Sequence, residues 1–185
     1  MALAVRRVGR LACGPLVLIA LTAGAQGPSE YEVKAAFIYN FSKFIEWPEA
    51  ALSNQDEFKI CVLGSAPFGS LLQQTVSGKQ INGKPMTVQE TTSIAEATTC
   101  RICFIGESER GRLDEILRRL GNLPILTVSD LDSFAERGGT IGLIIDRKRV
   151  RFEVNMLAAR QANLRLSSQL LKVASQVIGR PEEGH

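Results

Sequence analysis

The chain has 185 residues, of which 45% are hydrophobic and 22% charged, and carries a formal net charge of +3. That length and balance fit one globular domain and exclude a disordered or low-complexity chain. The single histidine, His185, is the last residue, which argues against serine–histidine and cysteine–histidine catalysis and against a histidine-built metal centre.

Residues 1–25 stand apart. Arg6, Arg7 and Arg10 precede an apolar run over 11–21, and Ala23-Gly24-Ala25 follows it. A charged start, a short apolar stretch and a small-x-small end make up a secretory signal. The run is shorter than the ~20 apolar residues that a membrane span requires. The sequence therefore predicts cleavage after Ala25, export, and a mature domain over 26–185 with an ordered core at about 29–179. Removing the three arginines leaves 19 basic side chains against 19 acidic ones. Binding driven by phosphate neutralisation loses its support, and no nucleic-acid partner is expected.

Residues 31–49, YEVKAAFIYNFSKFIEWPE, hold six of the eleven aromatic side chains. Ser29, with Glu32 three positions later, forms a capping box that starts a helix. Val33, Phe37, Phe41, Phe44 and Ile45 then share one helical face, with Lys34, Lys43 and Glu46 away from it. Trp47-Pro48 ends the helix, because the residue before proline avoids the helical region. The aromatic positions thus read mainly as core. A membrane-lying helix would want a strongly basic polar face, and this one is mixed. Tyr39 and Trp47 are least accounted for by packing and are candidate interface contacts.

Beyond this helix, FKICVLG is a β-rich run, and PFGSLLQQTV is a helix with Pro67 in its first turn. KPMTVQE and CRICFIG read as strands. RGRLDEILRRL is an amphipathic helix with Leu113, Ile116, Leu117 and Leu120 on one side. PILTVSD is a strand, and DSFAERGG a short helix ending in glycines. TIGLIID and RVRFEVN form a β-hairpin around Arg147-Lys148, and residues 155–178 are helical with an interruption at Asn163. Strands alternating with helices predict one compact α/β domain. Its mixed, mostly parallel sheet is flanked by helices and closed by a C-terminal β-hairpin and then a helix.

Three stretches invite chemistry. Residues 64–70, GSAPFGS, lie between a strand and a helix, where α/β folds bind ligands. They lack the lysine of a phosphate-binding loop and the spacing of a dinucleotide fingerprint, so an ordinary turn is the simpler reading, with an anion at its amides as the alternative. Cys100 and Cys103 form C-x-x-C, the pattern of thiol-redox proteins, in which the motif opens a helix and lowers the thiol pKa. Here it falls in a strand, where positions i and i+3 point to opposite faces. A structural disulfide between Cys61 and one member of the pair fits better in an oxidising compartment. In RVRFEVN, Val150, Phe152 and Val154 face one side, and Arg149, Arg151 and Glu153 the other. That polar side is either a solvated face or a recognition strip, which Arg160 and Arg165 would extend.

Five ordered motifs resemble the YfiR family: YEVKAAFIYNFSKFIEWP, CVLGSAPFG, CRICFIGESE, ILTVSDLDSFAERGGTIGLI and RVRFEVNMLAARQANLRLSSQLLKVA. They cover about 31–174. The resemblance implies a periplasmic α/β protein without catalytic activity or cofactor, often a homodimer. It further implies binding to the periplasmic sensor region of an inner-membrane diguanylate cyclase, which is held inactive, so that cyclic-di-GMP output and biofilm formation fall. Release follows periplasmic or redox stress, or capture by an outer-membrane lipoprotein. Cys61 and Cys100 match the family's first disulfide pair. The later pair of some relatives is missing here, and Cys103 is additional. Glu153 and Arg165 match positions of partner or small-ligand contacts. Arg149, Arg151, Glu153 and Arg160 are accordingly the candidate partner-binding residues and Arg165 the candidate small-ligand residue. The competing readings are a periplasmic small-ligand-binding protein and a thiol-redox protein using Cys100 and Cys103.

Overall fold

The computed structural model describes residues 28–53, 55–68 and 70–179. The expected signal segment over 1–25 and its cleavage point lie outside them. Helix α1 (Glu30–Phe44) starts where the capping box predicts. The Glu32 N–H donates to Ser29 Oγ at 3.3 Å, and the Ser29 N–H donates back to the Glu32 carboxylate. There follow β1 (Ile45–Glu46), α2 (Glu49–Ser53), β2 (Phe58–Leu63), α3 (Leu71–Val76), β3 (Gln80–Ile81), β4 (Lys84–Thr91), α4 (Ile94–Ala97) and β5 (Ile102–Ile105). A 3₁₀ turn (Glu107–Arg112) leads into α5 (Leu113–Leu120), then β6 (Leu126–Ser129), β7 (Ile141–Asp146) and β8 (Arg149–Asn155). The chain ends with α6 (Met156–Gln161), β9 (Arg165–Leu166), α7 (Ser168–Val173) and β10 (Gln176–Ile178).

The main sheet runs β10-β8-β7-β6-β5-β2-β4-β3. From β4 to β7 all neighbours are parallel, and β7 and β8 form the antiparallel hairpin. Among the five parallel strands β2 lies inside β4, so the order is that of a doubly wound sheet. Strand alternation sends side chains to two separate cores. On one face Phe58, Ile60, Phe104, Val128, Phe152 and Val154 pack under α1, α3 and α7. On the other, Cys61, Leu63, Cys103 and Ile105 meet Ile94 of α4 and Leu113, Ile116 and Leu120 of α5. The expected α/β class holds, with helices on both faces of a mostly parallel sheet.

The aromatic cluster of α1 is core, as its spacing predicts. Tyr31 stands edge-on to Phe68 at 5.1 Å, and Phe68 to Phe104 at 4.8 Å. Phe37 and Phe41 both meet Phe152 edge-on. The buried stripe is nevertheless rotated from the expected one. Lys34, Ala35, Ile38, Phe41 and Ser42 are buried, whereas Val33, Phe37 and Phe44 are half-buried. Lys34 turns inward because Asp130, 96 residues away, supplies a carboxylate for its ammonium. Trp47 is a correction as well: it is 7% exposed, edge-on to Phe58 at 5.1 Å, and its indole N–H donates to the Arg101 carbonyl. It is a core side chain, because the turn after α1 folds it against β2.

Three segments differ from the sequence reading. Residues 132–138 form successive turns and no helix, with Ser133 at φ 54° and Gly138 at φ 102°. Helix α3 begins at Leu71, so Pro67 sits in the preceding turn. The stretch after Asn155 does break at Asn163 (φ 54°), but it then contributes β9 and β10 around the short α7. β10 pairs parallel to β8, so the hairpin is not wholly an edge.

Candidate functional site

Strand β8 carries most of the expected polar residues. Its alternation places Arg149, Arg151 and Glu153 opposite Phe152 and Val154, and the two arginines are exposed. Arg151 reaches Asp146 only at 3.8 Å, a weak exposed pair. Glu153 is half-buried; its carboxylate lies above Gly142, where a Cβ would sit 3.8 Å from Oε2. Among the described residues Glu153 makes no ion pair. The Arg147-Lys148 turn adds two exposed cations, so four basic side chains lie within five positions.

Next to this strip, α1 and the hairpin enclose an apolar groove. One lobe of about 320 Å³ lies among Phe37, Val150, Phe152 and Val173, with Arg149 and Arg151 at its rim. A second lobe of about 620 Å³ shares Phe37, Arg149 and Val150 and adds Val33, Ile145 and Lys148. Ile145 is 54% and Val173 63% exposed, unusual for large apolar side chains.

Arg160 and Arg165 do not extend the strip. Asn155 caps α6 by accepting the Leu157 and Ala158 N–H groups while its own amide donates to the Ala135 carbonyl, and this turns the chain away from β8. Both arginines line a separate open cleft of about 630 Å³ with Glu46, Trp47, Glu49 and Asn163. The β1–β9 pairing builds it by setting Glu46 opposite Arg165. Arg160 donates to the Gly179 carbonyl at 3.0 Å. No ion pair joins the two arginines to the two glutamates among the described residues, so the cleft presents both signs of charge. Tyr39 is half-buried, with the Lys43 ammonium 4.0 Å and the Lys79 ammonium 6.0 Å from its ring.

The cysteines are structural. Cys61 and Cys100 are bonded, with Cα atoms 5.9 Å apart, and close a 39-residue separation. Such a link stabilises a fold by about 4 kcal/mol on the loop-entropy account. Cys100 precedes β5 and joins Cys103 in the same core, so the pair does not straddle the sheet as a strand reading predicts. Cys103 is free and buried, and burial, helped by the Glu109 charge, pushes its thiol up to about 12. A thiol so hard to ionise is a poor nucleophile, and the geometry gives no support to thiol-redox chemistry.

The crevice where a doubly wound sheet usually holds its ligand, between the ends of β2 and β5, is filled by the chain itself. The Ser65 N–H donates to Ser108 Oγ at 2.8 Å. A Cβ on Gly106 would lie 2.2 Å from the Ser65 carbonyl oxygen, and one on Gly64 (φ 80°) 2.4 Å from Ser108 Oγ. Residues 64–68 therefore behave as an ordinary tight turn.

Beside it lies a cluster that sequence reading missed. Lys34, 3% exposed, pairs with Asp130 and Glu30, and Asp130 also accepts the Tyr31 hydroxyl at 2.9 Å. Burial alone would depress the Lys34 ammonium, but the bonds to Asp130 and Glu30 outweigh it and hold it above its ordinary range. Burial, with Asp130 beside it, raises the Tyr31 phenol.

The sequence pattern of the YfiR/HmsC-like family matches residues 31–175. Among solved structures, a conserved domain protein from Vibrio cholerae O1 biovar El Tor str. N16961 is similar at a TM-score of 0.56 and 13% identity, covering 80% of this chain and 60% of that one. That likeness shows the fold alone. The ABC domain from Streptococcus pneumoniae, in complex with L-Trp, matches the same shares at a TM-score of 0.49 and 11% identity, too distant to carry an argument. This chain spans 60% of the length of each.

Proposed function

We propose that this chain, which belongs to the YfiR/HmsC-like family, binds the periplasmic sensor region of an inner-membrane diguanylate cyclase and lowers its cyclic-di-GMP output. Membership of this regulatory family points to a periplasmic regulator of a diguanylate cyclase, and the family match over 31–175 is the observation that carries the reading. The chain is exported by a cleaved signal over 1–25, acts as a homodimer, and is released from the cyclase by stress or by an outer-membrane lipoprotein. Consistent with binding rather than catalysis, its ligand crevice is closed by Ser65 and Ser108, its spare thiol is buried, and its uncommitted charge lies on a surface strand.

The proposed contact surface is Arg149, Arg151 and Glu153 with the neighbouring groove. An inhibitor must bind one state of the cyclase better than the other, since equal affinity shifts nothing. Glu153→Lys places a third positive side chain on the strip, beside Arg149 and Arg151. The expected variant keeps its thermal stability within about 1 kcal/mol yet leaves the cyclase active in cells. Normal stability with full repression removes Glu153 from the interface, and a collapse in stability makes it a structural residue.

A second reading rests on the cleft lined by Arg160 and Arg165 with Glu46 and Glu49. Paired charges of both signs suit a small zwitterionic ligand, which would make the chain a ligand-responsive binder. Titration calorimetry with a set of zwitterions against wild type and Arg165→Ala tests it; wild type showing no heat with any of them removes this reading.

A further inference from the structure

The sheet's outermost long strand is only half covered. β10 pairs with Glu153, Val154 and Asn155 of β8 and stops there. The Ser175 N–H donates to the Phe152 carbonyl at 2.8 Å, which identifies Phe152 as a residue whose backbone faces away from β7. In an antiparallel ladder this orientation repeats every second residue. Val150 therefore also turns its N–H and carbonyl outward, where α7 has already diverged and the 320 Å³ lobe lies between Val150 and Val173.

We propose that the open edge at Arg149–Arg151, ahead of the Phe152 carbonyl that Ser175 already occupies, accepts an extended segment of the partner as an added strand, and that the segment alternates acidic with apolar residues. The inference rests on the binding-regulator reading and specifies how the partner is held. An added strand shares the alternation of its neighbour. Side chains beside Val150 and Phe152 enter the groove against Phe37 and Val173, which calls for apolar residues. Side chains beside Arg149 and Arg151 meet exposed guanidinium groups with Lys148 close by, which calls for carboxylates. A second copy of this chain would bring its own Arg149 and Arg151 against the same arginines, and like charges opposite one another disfavour that pairing. Main-chain hydrogen bonds supply affinity in this mode, and alternate side chains supply selectivity.

The test uses the purified mature protein and short synthetic peptides. The probes are a peptide alternating glutamate with valine, its lysine–valine counterpart, and the glutamate peptide N-methylated at alternate residues along its bonding edge. The glutamate peptide should bind and the other two should bind at least about tenfold more weakly. Val150→Pro removes one outward donor and leaves the β7 ladder intact, and it should weaken binding similarly. Should that variant fail to fold, Arg149→Glu with Arg151→Glu serves instead and should transfer preference to the lysine peptide. Undiminished binding of the N-methylated peptide, or no binding of the plain one, would each overturn the inference. A chain that lowers cyclic-di-GMP in cells yet ignores the peptide overturns strand addition and leaves the regulatory reading standing. Peptide binding without any effect on cyclic-di-GMP does the reverse.

Discussion

Lys34 shows what one residue can contribute when its partner is distant in sequence. Lys34 is 3% exposed and its ammonium sits between Glu30 and Asp130, so Lys34→Met leaves the Asp130 charge uncompensated. Breaking a buried pair from one side costs about 3 kcal/mol. Chemical denaturation should show a loss near that size for Lys34→Met and a partial recovery when Asp130→Asn is added, the mark of coupled groups. Independent, additive losses would contradict the pairing. The pH dependence has a definite sign. Folding holds the ammonium above its ordinary value, so its contribution is complete below the unfolded lysine pKa and disappears as pH rises through the folded one. None of this was legible locally: in α1 alone Lys34 reads as a solvated position, because the carboxylate that draws it inward follows β6, 96 residues later. Trp47 was misread for the same reason, its partners Phe58 and Arg101 being supplied by β2 and by the residue just before β5.

At the scale of elements, legibility followed pattern length. α1 and the β7–β8 hairpin were readable because a capping box and a seven-residue alternation are local signals. β10, three residues long, and β9, two, were not, since no periodicity can be established over so few positions. The same shortness leaves half of β8 uncovered. The hairpin turn holds Arg147 at φ 48° and Lys148 at φ 63°, a left-handed pair that asparagine and glycine occupy with less strain. Arg147→Asn with Lys148→Gly should therefore raise stability by about 1 kcal/mol in a thermal melt. It should also weaken partner binding, because it removes Lys148 from the groove lining and the Arg147 charge next to it. A variant less stable than wild type would show that the two side chains hold the turn by contacts of their own.

For the whole molecule, a doubly wound sheet normally offers a crevice between its first and third strands, and here Ser65, Gly106 and Ser108 close it. Uncommitted charge and exposed apolar surface lie instead at the far edge, on β8 and around Val173. That concentration of charge and apolar surface at one sheet edge agrees with its regulatory family. The fold class was legible because strands alternate with helices through most of the chain. The location of the surface was only half legible: Arg149, Arg151 and Glu153 stood out in sequence, whereas the groove beside them is assembled from α1, α7 and the hairpin. The most direct test is cellular cyclic-di-GMP, measured with and without this chain in cells that retain the cognate membrane diguanylate cyclase and in cells that lack it. The account predicts that removing the chain raises cyclic-di-GMP only where the cyclase is present, and that restoring it lowers the level again. A level indifferent to the chain in the presence of the cyclase would contradict the account.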